Sequence, residues 1–182
     1  MEAMSVSADT FFDVIAAEAS AESPLWEEAL LPADERRLVL VFSSLVADPS
    51  LAVGLETIYE GYLVHYGKPR LFAPADCDAA LLLGDYLYAH GLVRVAQTGN
   101  VAAVGDLAEL ISLCAQLRAD GRDGDSVAWA ATAALLGAHA IVAPRAELRD
   151  RGREAGLDAA ARAAAGNAAV ERALERHRLL VS

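Results

Sequence analysis

The spacing of apolar residues along this chain predicts helices almost throughout. Leucine, valine, alanine and aromatic residues recur every three or four positions, and the two-residue alternation typical of a strand is absent. Glycine, proline and capping residues divide the pattern into separate segments. We therefore expect an all-α chain that is at least about 65% helical and has no sheet.

The first half of the chain is divided into four predicted helices. The first covers residues 9–19, and a short piece follows over residues 25–30. The third runs from Pro32 to about Ala47 and is so evenly apolar that it should be central. Asp48 and Pro49 then form a start signal for the fourth helix. This helix ends near Tyr66, because Gly67 follows.

The next segment is capped by Asp76 and reaches about Gln97. Gly84 inside it costs about 1 kcal/mol relative to alanine, and such a glycine usually lets another backbone approach. Its predicted inward face consists of residues at three-and-four spacing: Ala79, Leu82, Leu83, Tyr86, Leu87, His90 and Val93.

The second half is predicted to contain three more helical regions. Asn100 caps a helix that ends near Arg118, with Val101, Val104, Leu107, Ile111 and Cys114 turned inward. A helix over residues 126–142 is broken by Pro144, and a glycine-interrupted region leads to a last helix capped by Asn167.

The charge of the chain excludes some partners. It carries 26 acids against 15 bases, for a net charge of −11, so nucleic acid is a poor partner. Residues 1–143 hold 20 acids and 7 bases, whereas residues 144–182 hold 6 acids and 8 bases. Either the two parts attract each other or one docks on another protein; the intramolecular alternative is favoured.

Neither the cysteines nor the apolar runs suggest an unusual environment. Cys77 and Cys114 lack C-x-x-C spacing, so we expect two reduced thiols in a cytoplasmic protein. The N-terminus does not have the pattern of a secretory signal, and the uncharged run over residues 127–143 is shorter than the ~20 residues that span a bilayer. We expect no transmembrane segment.

Three motifs follow one another in the middle of the chain. They read Glu56-Thr57-Ile58-Tyr59-Glu60, then His65-Tyr66-Gly67-Lys68-Pro69, then Leu83-Gly84-Asp85-Tyr86-Leu87. These motifs resemble those of the trans-polyprenyl diphosphate synthases, which belong to the isoprenoid synthase family. In the family, D-D-x-x-D is followed by R-R-G-x-P, and the glycine of L-x-G-D-x-L comes seventeen residues after that of R-R-G-x-P. Gly67 and Gly84 keep this spacing, so the resemblance implies a shortened helical bundle of the isoprenoid synthase type.

The catalytic positions of the family are nevertheless changed. Glu56, Thr57 and Glu60 fall on the three aspartate positions, and His65 and Tyr66 replace the two arginines that clamp phosphate. Further on, Asp125 stands where the family has a phosphate-binding lysine. Gly152 to Leu157 matches the start of the second aspartate motif, but alanines occupy the positions of its carboxylates. The resemblance therefore implies loss of catalysis.

Five residues are candidates for a vestigial diphosphate or Mg²⁺ site. Glu56 and Glu60 could hold one Mg²⁺ weakly if a diphosphate were present, or they could be two surface glutamates. Lys68 and Arg70 could contact phosphate, or could simply be exposed bases of a loop. Asp85 lies in an apolar helix, where support of helix packing is the favoured role. No other cofactor or metal site is expected.

The aromatic residues allow two interpretations. They could line an apolar tunnel like the one that holds a growing prenyl chain in the family, or they could fill the core or an interface. The residues concerned are Tyr59, Tyr62, Tyr66, Tyr86, Tyr88 and Trp129.

Three functions remain open at this point. The leading hypothesis is a non-catalytic subunit that pairs with a catalytic prenyl diphosphate synthase and helps set product length. The alternatives are a homodimeric carrier of an apolar isoprenoid or quinone, and a weak diphosphate-acting enzyme that uses Glu56 and Glu60. We expect an N-terminal helical segment over residues 1–31 and a polyprenyl-synthase-like domain over residues 32–182. The Leu51–Tyr66 and Leu81–Val95 helices are expected to form much of a dimer interface.

Overall fold

The computed structural model describes residues 8–181, with side chains from Thr10 onward. Of these residues, 73% are helical and none belongs to a strand, which confirms the all-α prediction. The nine α-helices are α1 (Ala8–Glu22), α2 (Pro24–Glu28), α3 (Ala52–Tyr66), α4 (Cys77–Gln97), α5 (Val101–Ala119), α6 (Asp125–Ala134), α7 (Val142–Arg151), α8 (Ala155–Ala165) and α9 (Asn167–Val181).

The helix predicted from Pro32 to Ala47 does not form. Residues 36–41, here called the extended segment, form neither helix nor strand, and only Ser43–Leu45 makes a short 3-10 helix. This extended segment is held by side chains from elsewhere: Val41 and Ser43 donate their backbone N–H groups to Glu56 at 3.1 Å. The apolar residues of this region do not all lie in the core: Val41, Phe42 and Leu45 are buried, whereas Leu38 and Val39 are exposed. The prediction was wrong because tertiary hydrogen bonds replace those of a helix.

Helix α3 lies at the centre of the molecule. Eleven of its 15 residues are buried, including Glu56, Thr57 and Glu60. Since its surface is already covered within one chain, the prediction that α3 forms much of a dimer interface was wrong. The start signal was correct: the Asp48 side chain accepts the N–H of Ser50 at 2.9 Å, and a 3-10 turn at Pro49–Leu51 leads into α3.

Helices α3 and α4 pack antiparallel through glycines. A Cβ atom added to Gly61 would lie 2.9 Å from the carbonyl oxygen of Gly84, and one added to Gly91 would lie 2.8 Å from that of Gly54. These four glycines are spaced seven apart on each helix, so the backbones approach at two successive levels. Gly84 itself makes room for a side chain rather than for a backbone, because a Cβ atom there would lie 2.4–2.7 Å from the ring of His65.

Several predicted helix faces are rotated or shortened. Leu82 and Val93 of α4 are 58% and 56% exposed, and the buried face is instead Leu83, Gly84, Leu87, Gly91 and Val95. Val101 of α5 is likewise exposed. The helix predicted over residues 126–142 ends at Ala134, and Pro144 lies within the first turn of α7 rather than breaking a helix.

The N-terminal part packs onto the rest through its own apolar cluster. Phe12, Ile15 and Trp26 pack with Leu71, Phe72, Leu83 and Leu87, and an isolated antiparallel bridge joins Leu30 to Phe72. A larger cluster is centred on α3, α5, α6 and α9. The proposed boundary at residue 31 stays a prediction. Within residues 8–181, no helix is both long and apolar enough to cross a bilayer.

The glycine contacts make a testable prediction about helix packing. We expect Gly91→Ala to lower the free energy of unfolding by about 2 kcal/mol, because its Cβ would lie 2.5 Å from Ile58 and 2.8 Å from the Gly54 carbonyl oxygen. Gly105→Ala in α5 is the matched control: its Cβ would meet only His139 at 3.4 Å, so helix propensity should stabilise the chain by up to about 1 kcal/mol. Urea denaturation measures both, and equal effects would contradict the close α3–α4 contact.

Candidate functional site

Glu56 and Glu60 lie in the interior and bind one arginine. Arg70 donates through Nη1 to Glu56 Oε2 at 2.6 Å and through Nε to Glu60 Oε2 at 2.8 Å. All three side chains are 0% exposed. The sequence had offered an Mg²⁺ pair or two surface glutamates, and the structure contradicts the surface placement. Arg70 is correspondingly not an exposed loop base.

Every carboxylate oxygen of this group has a hydrogen-bond donor. Glu56 Oε1 accepts the N–H groups of Val41 and Ser43, and Glu60 Oε1 accepts those of Arg70 and Leu71 at 2.7 and 2.8 Å. Because no oxygen is left to coordinate a cation, these residues do not fit the Mg²⁺ that the family resemblance implies.

Arg70 is held on all sides. Its guanidinium lies 4.9 Å from the ring centres of both Phe12 and Tyr59, and Nη1 also donates to the Val39 carbonyl oxygen at 2.9 Å. Burial by itself would lower the pKa of Arg70, but the charges of Glu56 and Glu60 outweigh burial and raise it. The arginine therefore stays charged and ties α3 to the extended segment.

The other residues of the predicted diphosphate site do not lie together with Glu56, Glu60 and Arg70. Lys68 is exposed, and its backbone N–H donates to Leu180 at the end of α9. Asp85 has a side chain that is 67% exposed and pairs with His65 of α3 at 3.3 Å, so it joins α4 to α3 from the surface rather than from the interior. Thr57 is buried and donates to the Val53 carbonyl oxygen at 2.9 Å.

The aromatic residues mostly fill the core. Tyr59, Tyr62 and Trp129 are 0% exposed, and their rings pack against one another with centres 5.0–6.0 Å apart. Tyr66 packs on Tyr62 at the edge of this group. Tyr86 lies elsewhere and stacks on Trp26 at 5.8 Å, and Tyr88 lies 5.2 Å from the ring of His65. The sequence allowed two interpretations of these residues, a tunnel or a packed core. Ring contacts at these distances favour the packed core.

A polar network borders the aromatic core. Tyr62 donates its hydroxyl hydrogen to Asp125, which also pairs with Arg118. Burial, followed by the Asp125 charge, raises the pKa of Tyr62, so its hydroxyl remains a donor. Asp125, which stands where the family resemblance would place a phosphate-binding lysine, anchors the start of α6 to α3 and α5.

His177 of α9 is a buried histidine that the sequence did not single out. Its Nδ1 lies 2.9 Å from the Tyr59 hydroxyl, and its Nε2 has no hydrogen-bond partner among the described residues. Burial lowers the pKa of His177 to about 4, so the imidazole is neutral at pH 7. A small cleft beside it is lined by Asp125 and Ser126.

The second half contains another charged group, around a surface cleft of about 520 Å³. Asp106 is buried and accepts from Arg145 at 3.0 Å and from the Gly137 N–H at 2.9 Å. His139 adopts a left-handed backbone at φ 49° and lies 3.5 Å from Asp106. No serine, threonine or cysteine lines this cleft, so no hydroxyl or thiol nucleophile stands beside the histidine. The group joins α5 to α6 and α7.

No group of three or more His, Cys, Asp or Glu side chains that could hold a metal occurs in the described part of the chain. A scan against protein-family models found no match, and searches of curated proteins and of solved structures found no similar protein either.

The buried charges make a prediction about stability. Arg70→Met should lower the free energy of unfolding by about 3–5 kcal/mol, because it leaves the buried Glu56 and Glu60 without a positive partner. Arg151→Met is the matched control: its pair with Glu147 is 58% and 39% exposed, so its loss should cost less than about 1 kcal/mol. Chemical denaturation compares the two. A mild effect of Arg70→Met would show that the network contributes little.

A second prediction concerns pH. The pKa of His177 is about 4 in the folded chain, against an ordinary 6.5, so the unfolded chain binds more protons between these values. Stability from this group is therefore complete above pH 6.5 and decreases as the pH falls toward 4. Between pH 7 and pH 4.5 the loss should be about 2 kcal/mol.

His177→Gln is the test variant, because glutamine can still bond Tyr59 but does not titrate. The variant should lose less stability than the natural chain over the same pH range, measured by urea denaturation at each pH. Identical pH profiles would mean that His177 does not titrate as described.

Proposed function

We propose that this chain is a non-catalytic subunit, with a shortened bundle of the isoprenoid synthase type, that pairs with a catalytic prenyl diphosphate synthase. The resemblance of its motifs to the polyprenyl synthases, from Glu56 to Asp85, is the basis for the family. In this proposal the partner supplies the chemistry, and this chain completes a helical interface and helps set product length.

The observation that carries the proposal is the buried contact of Glu56 and Glu60 with Arg70. Both glutamates occupy positions where the family has metal-binding aspartates, and here they bind an arginine from the same chain. A carboxylate that has only N–H donors around it and no exposed surface can neither coordinate Mg²⁺ nor reach a diphosphate. The same positions contribute to stability instead of catalysis, as expected of a subunit that keeps the framework alone.

The outer face of α4 supports a role in association. Leu81, Leu82 and Val93 are 56–58% exposed, and Ala89 is exposed between them. Only Asp85 interrupts this stripe with a charge over three turns of the helix. An apolar face on a helix that is rigidly packed by its glycines is suited to bind a helix of another protein.

The two other functions receive less support. A weak enzyme would need accessible carboxylates, but Glu56 and Glu60 are 0% exposed. A carrier in the aromatic region would need an open channel, but Tyr59, Tyr62 and Trp129 lie in mutual contact.

The test combines association and activity. We expect the chain to co-purify with a full-length prenyl diphosphate synthase from the same genome and to change the length of its product. Leu82→Asp with Val93→Asp should abolish the complex, because two charges would be desolvated at the interface. Val142→Asp, at an exposed valine of α7, is the matched control and should leave the complex intact.

Assayed alone with Mg²⁺, isopentenyl diphosphate and an allylic diphosphate, the chain should show no turnover. Thr57→Asp should not create activity, since Thr57 is buried in α3. Turnover by the unmodified chain would contradict the proposal, as would a stable monomer that binds none of the synthases.

A further inference from the structure

A groove with apolar walls runs between the extended segment and α9. Leu38 and Val39 form one wall and Leu179 and Leu180 the other, and the volume of the groove is about 540 Å³. Leu38, Val39 and Leu179 are 37%, 41% and 69% exposed, so apolar surface is open to water here. Such a surface is stabilised when an apolar chain covers it.

Three arginines, Arg36, Arg37 and Arg176, line the same groove, and none of its lining residues is acidic. In the described residues, no carboxylate lies within 4.0 Å of any of the three, whereas nine other arginines each form such a pair. In a chain with a net charge of −11, this concentration of unpaired positive charge is unusual.

The side chains of Arg36 and Arg176 are each held by one hydrogen bond to the backbone. Arg36 donates Nε to the Leu31 carbonyl oxygen and Arg176 donates Nη1 to that of Leu40, both at 2.8 Å. Each guanidinium has five N–H donors, so most of them stay available. Arg37 takes part in the fold through its backbone, donating its N–H to the Arg70 carbonyl oxygen at 3.0 Å and accepting the Val39 N–H at 2.8 Å. Its side chain is therefore free to bind an anion from outside the chain.

From this combination we propose that the groove binds a long-chain carboxylate, with the hydrocarbon chain along the leucine walls and the carboxylate on the arginines. Guanidinium and carboxylate form paired, charge-assisted hydrogen bonds. The groove contacts the last turn of α9, whose carbonyl end carries partial negative charge, so one negative charge is better accommodated than the two of a phosphate ester.

A concave site of this size also favours a single flexible chain over a flat bilayer. The acidic body of the protein repels an anionic bilayer or an acidic protein more strongly than it repels one monoanion. The groove is separate from the outer face of α4, so the binding site and the proposed subunit role can fail independently.

The experiment is calorimetric titration of the full chain with dodecanoate below its micelle concentration at neutral pH. We expect one site with a Kd of ~10–100 µM, as is typical for a ligand of this size. Arg37→Gln should weaken binding about five- to tenfold, since it removes one charge-assisted contact. Leu179→Asp should abolish binding by placing a carboxylate in the apolar wall.

Arg178→Gln is the matched control. It removes the same charge as Arg37→Gln, from an exposed position of α9. Arg178 also lacks a carboxylate within 4.0 Å in the described chain, but it lies beside Ser126 and His177 rather than in the groove. Binding should stay within about twofold of the natural chain. Thermal unfolding of each variant confirms that it is folded.

Four results would overturn the proposal. They are no binding of dodecanoate by the natural chain, equal weakening by Arg178→Gln and Arg37→Gln, equal affinity for dodecyltrimethylammonium, and clearly tighter binding of dodecyl phosphate. Binding to phosphatidylglycerol vesicles without binding of monomeric dodecanoate would likewise reject it, in favour of a membrane-surface role.

Discussion

The buried contact of Arg70 with Glu56 and Glu60 is the interaction on which the rest of the structure depends. Three charged side chains with no exposure would be costly to bury, but every carboxylate oxygen and most guanidinium N–H groups are hydrogen-bonded. The same carboxylates bind the backbone of Val41 and Ser43. One network therefore fixes the central helix, the loop that follows it and the extended segment that covers it.

The glycine contacts between α3 and α4 give this network a rigid support. Gly54, Gly61 and Gly91 let the two backbones touch, so α4 covers one side of α3 while the extended segment and α9 cover others. As a consequence, the inner face of α4 contains the small residues Gly84 and Gly91, and its outer face exposes Leu81, Leu82 and Val93. The apolar outer face of α4 is thus a consequence of close packing on its inner face.

These features also separate two surfaces with different chemistry. The α4 face is apolar with one acid, Asp85, and suits another helix. The groove beside α9 combines leucines with arginines that have no carboxylate partner in the described chain, and suits an anion with an apolar chain. Part of the positive charge near the C-terminus pairs with the acidic body, as Arg145 does with Asp106, whereas Arg176 does not. The expected attraction between the two parts is therefore only partly realised.

The helical class and the caps at Asp76 and Asn100 could be predicted from the amino-acid sequence, because they depend on local spacing and on side chains that bond nearby backbone N–H groups. Only the tertiary structure decided the place of Glu56 and Glu60. They are the only charged residues of α3, so an almost wholly apolar helix was a signal of burial, but no spacing shows that Arg70 is the partner. It likewise decided that residues 36–41 are not helical, since Arg37 and Val41 bond to Arg70 and Glu56, which are distant in sequence, and these bonds outcompete a helix that local propensity favours.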